Sequence, residues 1–94
     1  MKLELKAIKF YPAMTEETHC FRASLYLNGV RRGWVLNEGR GGANLYSDPT
    51  AEAELNAYGK TLPPVVGEGY EFHEDADMLI CETMNVWLRK KYAA

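Results

Sequence analysis

The sequence lacks a long hydrophobic run, an internal repeat and a low-complexity segment. Its first residues alternate charged with apolar side chains, so they form neither a signal peptide nor a membrane span. The net charge is also small, because the chain has 11 Lys and Arg residues and 13 Asp and Glu residues. This balance argues against a dedicated duplex-DNA binder. We expect a cytoplasmic globular protein without membrane association.

Cysteine is scarce. Only Cys20 and Cys81 are present, and neither belongs to a CxxC motif or a Cys/His cluster of the kind that binds zinc. In a reducing compartment we expect two free thiols packed as small apolar groups, with a single disulfide as the alternative. No pattern in the sequence calls for a cofactor.

The content of apolar residues, 47% of 94, is enough for one core, and we expect a single domain over residues 1–94. The charge within it is uneven. Residues 1–47 carry seven Lys and Arg against four Asp and Glu, whereas residues 48–94 carry four against nine. Charge is therefore segregated by sign along the chain, which favours binding to another protein.

The clearest structural signal is a β-hairpin around Asn28-Gly29, because this dipeptide supplies the positive φ angles of a two-residue turn. The apolar residues before the turn alternate and share one face. Continuing that pairing beyond the turn would put Arg32 and Trp34 on the same apolar face. Either the stem of Arg32 lies along the sheet, or an extra bulge residue moves Trp34 to the opposite side.

Alternation before the hairpin predicts a first strand from Leu3 to about Tyr11, with a bulge near Ala7 where the apolar parity switches. After the hairpin, residues 43–46 predict a short edge strand. Ser47 or Asp48 then caps a helix of about ten residues, with Pro49 in its first turn and Gly59 at its end.

Residues 70–72 predict another short strand, and the strongest helix runs from about Asp75 to Lys91. Acidic residues at its start and basic residues at its end both suit the helix dipole. Its apolar residues form two stripes. The first, typical of a core-facing helix, comprises Ala76, Leu79, Ile80, Thr83, Val86 and Trp87.

Together these elements predict an α+β fold. We expect an antiparallel sheet of three or four strands, the long C-terminal helix across one face, and one short helix beside it.

Candidate catalytic or metal-binding groups are few. His73, Asp75, Asp77 and Glu82 lie close in sequence, but Asp75 and Asp77 point in roughly opposite directions on a helix, and capping explains them without a metal. The pairs His19–Cys20 and His73–Cys81 lack the spacing of a nucleophile and its base. We expect no catalytic, cofactor or metal residues, and hence no enzyme.

Glycines at residues 39–42 surround Arg40 and could cradle a phosphate, but the run lacks the GK[ST] ending of a nucleotide loop. The alternative is a flexible or bulged connection between strands. Arginines and aromatic residues elsewhere in the predicted sheet suit a single-stranded nucleic acid, whose bases stack on rings while cations neutralise phosphates. This candidate face comprises Arg22, Arg31, Arg32, Arg40, Tyr26, Trp34 and Tyr46.

Two further surfaces suit a protein partner. An acidic strip without intervening Lys or Arg can steer encounter with a basic groove, and it comprises Glu68, Glu71, Glu74, Asp75, Asp77 and Glu82. The alternative is a solvated face. The second stripe of the last helix widens its apolar surface and could form a partner contact or a homodimer seam, and it includes Met78, Cys81, Met84 and Leu88.

The run from Leu27 to Tyr46, which reads LNGVRRGWVLNEGRGGANLY, resembles a pattern in small uncharacterised proteins of phages, prophages and plasmids. The resemblance covers under a quarter of the chain. It implies a protein of a mobile element, a class that includes stoichiometric inhibitors of host systems such as anti-CRISPR proteins. It carries over no site residue.

From the residues we expect a non-enzymatic protein-binding module, and the resemblance implies that it could inhibit a host system by docking. The alternative function is binding of single-stranded RNA or DNA through the arginine-aromatic face.

Overall fold

The computed structural model describes residues 1–92 and confirms the α+β class. The first of its two compact units ends at Ala51 and the second begins at Glu52. The predictions of a single domain and of a helix across the sheet stay predictions.

In chain order the elements are β1 (Leu3–Phe10), a 3-10 turn (Pro12–Met14), β2 (Cys20–Leu27), β3 (Val30–Glu38), β4 (Leu45–Tyr46), α1 (Pro49–Thr61), β5 (Val65–Gly67), β6 (Tyr70–Phe72) and α2 (Ala76–Tyr92).

Strands β1 to β4 form one antiparallel sheet in that order. Every second residue of β2 is buried from Phe21 to Leu27, so the apolar alternation predicted for this strand is confirmed. Val35, which pairs with Ala23, is also buried. One face of the sheet is therefore apolar, and the residues between these positions occupy the other.

The predicted bulge near Ala7 is confirmed. Lys6 pairs with Ser24 and Lys9 with Arg22, so two residues of β1 stand opposite one residue of β2. Ala7 adopts a φ of 52°, which is uncommon for a residue with a side chain. The bulge restores the alternation, because Leu5 and Phe10 both pair with buried residues of β2 although they are five positions apart.

The hairpin turns at Asn28 and Gly29, both at positive φ as predicted. A second bulge follows, in which two β3 residues, Arg32 and Gly33, stand opposite the one β2 residue between Ser24 and Tyr26. This is the second of the two alternatives derived from the sequence. It places Trp34 opposite Ser24, on the face away from the buried residues.

Helix α1 begins as predicted and ends later than predicted. Asp48 caps it, since its side chain accepts the N–H of Thr50 at 2.9 Å and Pro49 is the first helical residue. Gly59 was expected to end the helix but lies inside it and is buried. A Cβ at Gly59 would collide with the backbone carbonyl of Glu74, so this glycine permits a close approach.

Helix α2 matches its prediction to within one residue at each end. Asp75 caps it by accepting the N–H of Met78 at 2.9 Å. The buried stripe differs from the predicted one: Ala76, Ile80 and Met84 are buried, while Val86 is exposed. Residues four apart lie on the same side of a helix, so Met84 belongs with Ile80 on the buried face.

The second unit also contains a two-stranded sheet. Strand β6 was predicted, but its partner β5 was not, because Pro63 and Pro64 precede it and Gly67 ends it. Every residue of β6 is exposed.

The two cysteines are both free thiols, as expected. Cys20 is buried, whereas Cys81 is exposed, so the expectation of packing is wrong for Cys81. Among the helices of residues 1–92, none has the length and apolar content needed to cross a bilayer.

The β3 bulge generates a stability prediction. Gly33 has a φ of 83°, and a Cβ there would collide with the hydroxyl of Ser47, which accepts the N–H of Trp34 at 2.8 Å. We expect Gly33→Ala to lower the free energy of unfolding in urea by about 2–4 kcal/mol, because strain and overpacking add.

Gly29→Ala is the matched control, since Gly29 has a similar φ of 81° and no atom would lie within 4 Å of its Cβ. Strain alone predicts a loss of about 1–2 kcal/mol for this variant. Equal losses for the two variants would contradict the packing of Ser47 against the bulge.

Candidate nucleic-acid interface

The face of the first sheet that lies away from the buried residues is the strongest candidate site, and we call it the open face. Arg22, Ser24 and Tyr26 occupy it on β2, and their cross-strand partners occupy it on β1 and β3. Its basic residues are all exposed and comprise Lys6, Lys9, Arg22 and Arg31. Of its acidic residues, Glu4 lies in the row of Tyr26 and Arg31 and pairs with Lys2 at 3.6 Å, and Glu38 lies at the other end of the sheet. The middle of the open face is therefore cationic.

Aromatic rings lie among these cations. The ammonium of Lys6 lies 4.4 Å from the centre of the Tyr26 ring, and the guanidinium of Arg22 lies 5.7 Å from that of Trp34. Both distances suit cation–π attraction. Tyr26 and Trp34 are half-buried, so part of each ring remains accessible. The open face thus presents accessible ring surface and positive charge together.

The structure brings together four of the seven residues predicted for a nucleic-acid face: Arg22, Tyr26, Arg31 and Trp34. Tyr46 does not join them, since it pairs with Val35 and lies on the opposite face of the sheet. Arg40 lies in the loop after β3, at the edge of the open face. The register, which depends on the bulges, decides these placements.

Arg32 does not belong to the open face, because its guanidinium bonds to residues at the start of α1. Its Nε donates to Asp48 at 3.1 Å and one terminal nitrogen donates to Thr50 at 3.0 Å. The hydrogen bond from Thr50, and after it that from Arg32, hold the pKa of Asp48 below its ordinary value. Arg32 therefore supports the start of α1 rather than the open face.

Sequence reasoning missed several residues of this face, among them Lys6, Lys9, Tyr11 and Glu38. The first two could have been found, because alternation on β1 combined with the predicted bulge puts Lys6 and Lys9 on one side. Glu38 has the parity of Trp34 in β3, so its face follows from the register that the sequence left open, whereas Tyr11 lies beyond the end of β1, where no periodicity indicates its direction.

Two adjoining concavities lie on the open face. The first has a volume of about 370 Å³, and its lining includes Lys9, Tyr11, Arg22, Ser24, Arg31 and Trp34. The second measures about 470 Å³, and its lining includes Tyr11, Met14, Arg22, Leu36, Glu38 and Arg40. Because both contain Tyr11 and Arg22, they form a continuous track from Arg31 to Arg40.

The loop that carries Arg40 is fixed by the buried side chain of Asn37. Its Oδ1 accepts from Thr18 at 2.6 Å and from the N–H of Gly39 at 2.8 Å, while its Nδ2 donates to Gly42 at 3.0 Å and to Asn44 at 2.9 Å. The interpretation of this loop as a phosphate cradle is wrong at Gly39, whose N–H is already used. The run forms a connection between β3 and β4, as the alternative had it, and the buried amide of Asn37 holds the backbone around it.

The acidic strip is divided by the structure. Glu68 and Glu71 are exposed on the β5–β6 hairpin, and Asp77 is partly buried. Asp75 is the cap of α2, as expected from the sequence. The neighbouring carboxyl of Glu74 raises the pKa of Glu82, first through a side-chain hydrogen bond, and partial burial and charge repulsion add to it. Two carboxyl groups can share a hydrogen bond only if one holds a proton.

The predicted homodimer seam is wrong at Met84, which is completely buried because it continues the stripe of Ile80. Met78 and Leu88 are partly buried, and Cys81 is exposed. These three residues leave a narrower apolar surface than the sequence indicated.

Within residues 1–92, no group of three or more His, Cys, Asp and Glu side chains is arranged to hold a metal ion. Comparison with protein-family models, curated proteins and solved structures finds no match to this chain. The resemblance of Leu27–Tyr46 to proteins of mobile elements stays an expectation.

The Glu74–Glu82 contact predicts a pH dependence. The pKa of Glu82 is raised in the folded chain above its ordinary value of 4.5, so its contribution to stability is complete below about that pH and is lost as pH rises through the folded pKa. Glu82→Gln keeps a hydrogen bond to Glu74 without needing a proton. We expect this variant to be more stable than the unmodified chain at pH 7, with a difference that shrinks towards pH 4.

Urea unfolding measured across this pH range tests the expectation. Glu68→Gln, which removes an exposed carboxylate on the hairpin, is the control and should change stability little at any pH. A pH-independent difference for Glu82→Gln would contradict the shared proton.

Proposed function

We propose that the first unit binds single-stranded nucleic acid through its open face. The observation that carries the proposal is the presence of Lys6, Lys9, Arg22 and Arg31 around two accessible rings on one side of the sheet. Cations neutralise phosphates without regard to sequence, and rings accept unstacked bases. Both properties are needed for this ligand, and both are present in the same place.

A single strand fits this face better than a duplex does. The bases of a duplex are stacked on one another, and their edges are reached by a helix or a ribbon inserted into the groove. The open face instead offers ring surface within a sheet, which suits bases that are unstacked and splayed out. The track formed by the two concavities gives such a chain a path from Arg31 to Arg40.

The cation–π contacts favour binding for a second reason. Long basic side chains lose rotamer freedom when they bind a ligand, and this loss weakens affinity. Lys6 and Arg22 are already held against rings in the free protein. Part of the side-chain entropy loss therefore occurs on folding, and binding loses less.

A double substitution, Arg22→Ala with Arg31→Ala, tests the proposal. Fluorescence anisotropy would follow binding of a labelled strand of about 12 nucleotides between about 50 and 200 mM salt. Loss of two phosphate contacts should weaken binding and reduce the slope of log K against log salt by about 1.4. The matched control, Arg89→Ala with Lys90→Ala, removes two exposed charges from α2 and should leave the slope unchanged.

Absence of binding at the lowest salt would refute the proposal. Equal salt slopes for the double variant and its control would refute the assignment to the open face.

A second candidate function, docking to another protein, is favoured by the β5–β6 hairpin. Tyr70 and Phe72 share one face of this hairpin and are 56% and 41% exposed, and their ring centres lie 5.7 Å apart in a stacked arrangement. Glu68 and Glu71 lie beside them. This combination suits a partner with an apolar groove edged by Lys or Arg. If the chain is the mobile-element inhibitor that its resemblance implies, this hairpin is its docking surface.

For this candidate, Tyr70→Ser combined with Phe72→Ser should abolish capture of a protein from RNase-treated host lysate. Val86→Ser, which alters an exposed apolar residue of α2, should leave capture unchanged. Mass spectrometry of the captured material measures both. A captured protein that is retained by the double variant would contradict docking through the hairpin.

A further inference from the structure

We infer that the second concavity selects a base with an exocyclic amine, and that Glu38 makes the selection. The inference rests on the proposed function, because it concerns which nucleotides the open face prefers. At about 470 Å³ the concavity is of the size of small-molecule sites. It is large enough for a single base with room for its sugar.

The walls of this concavity suit a flat ring flanked by phosphates. Leu36 and Met14 supply apolar surface, and Tyr11 supplies an exposed ring. Arg22 and Arg40 also line it, so positive charge is available to phosphates on either side of an inserted base. The concavity therefore combines the features of a stacking site with those of a backbone clamp.

The two walls are tied to each other. The carbonyl of Gly39 accepts the N–H groups of Glu16 and Glu17 at 2.9 and 3.0 Å, and the N–H of Tyr11 donates to Cys20 at 2.9 Å. Asn37 fixes the loop from the other side, as described above. A site held by such bonds keeps its shape when a ligand enters, which favours discrimination between similar ligands.

Glu38 is an acidic residue that lines the second concavity together with Arg22 and Arg40. It is exposed at the end of β3, and alternation from Trp34 through Leu36 places it on the open face. A carboxylate beside a phosphate track weakens affinity for the backbone, so its presence there is unfavourable unless it contacts the base. A carboxylate accepts hydrogen bonds but cannot donate them.

This chemistry distinguishes the pyrimidines. Cytosine presents an amine that donates to a carboxylate, which is a recognised pairing, whereas thymine presents a carbonyl oxygen at the same position. Cytosine would thus gain a hydrogen bond where thymine meets repulsion. The two rings are of the same size, so stacking contributes about equally to both.

Two labelled strands test the inference: one of thymine alone, and one in which half of the thymines are replaced by cytosine. We expect the unmodified chain to bind the cytosine-containing strand at least about fivefold more tightly, because a good base contact discriminates by that factor or more. Glu38→Gln should reduce the preference to less than about twofold, since an amide both donates and accepts.

Glu16→Gln is the matched control, because it removes an exposed carboxylate from the neighbouring wall without altering the residues that line the concavity. It should keep the preference. Equal binding of both strands by the unmodified chain would overturn base selection while leaving the proposed function intact. Loss of preference in both variants would overturn the assignment to Glu38. Binding of neither strand would overturn the proposed function, and with it this inference.

Discussion

The structure depends on two places where the chain inserts an extra residue into the first sheet. At Ala7 in β1 and at Arg32–Gly33 in β3, two residues stand opposite one residue of β2. Because side chains alternate along a strand, each insertion exchanges the faces of all residues that follow it in its strand. Without the second bulge, Arg32 would lie on the apolar face of the sheet. With it, Arg32 reaches Asp48 and Trp34 joins the basic residues.

The bulges also shape the proposed binding face. Gly33 allows the chain to bend where Ser47 accepts the N–H of Trp34, so the edge of the sheet and the aromatic residue of the open face are fixed by one contact. At the far end of β3, Asn37 fixes the loop that carries Arg40. The open face is thereby bounded by two fixed ends, and the two concavities lie between them.

Much of the architecture could be predicted from local patterns. Asn28-Gly29 specified the hairpin, the change of parity near Ala7 indicated the first bulge, and Asp48 and Asp75 marked the starts of both helices. These signals act over a few residues, where turn chemistry and capping decide the conformation. The hairpin pattern also admitted the second bulge, but it could not choose between the two registers, because the choice depends on Asp48 and Ser47 in a later part of the chain.

The site was less predictable for the same reason. Arg32 and Tyr46 belong to the same composition pattern as Arg22 and Trp34, and only the register separates them. Gly59 resembled the end of a helix, but its role depends on Glu74, which is fifteen residues further on. Met84 lies outside the predicted core-facing stripe of α2, but it is buried beside Ile80 in the structure. Each error arose from a contact between residues that are distant in sequence.

Binding of a single-stranded nucleic acid to the open face can be followed by a two-dimensional NMR titration, because each backbone amide of the chain reports on its own surroundings. If the open face binds the strand as proposed, we expect shift changes to concentrate on the amides of Lys6, Lys9, Arg22, Arg31 and Trp34 and to leave the β5–β6 hairpin unchanged. Changes confined to the hairpin or to α2, or no changes at all, would contradict the proposal.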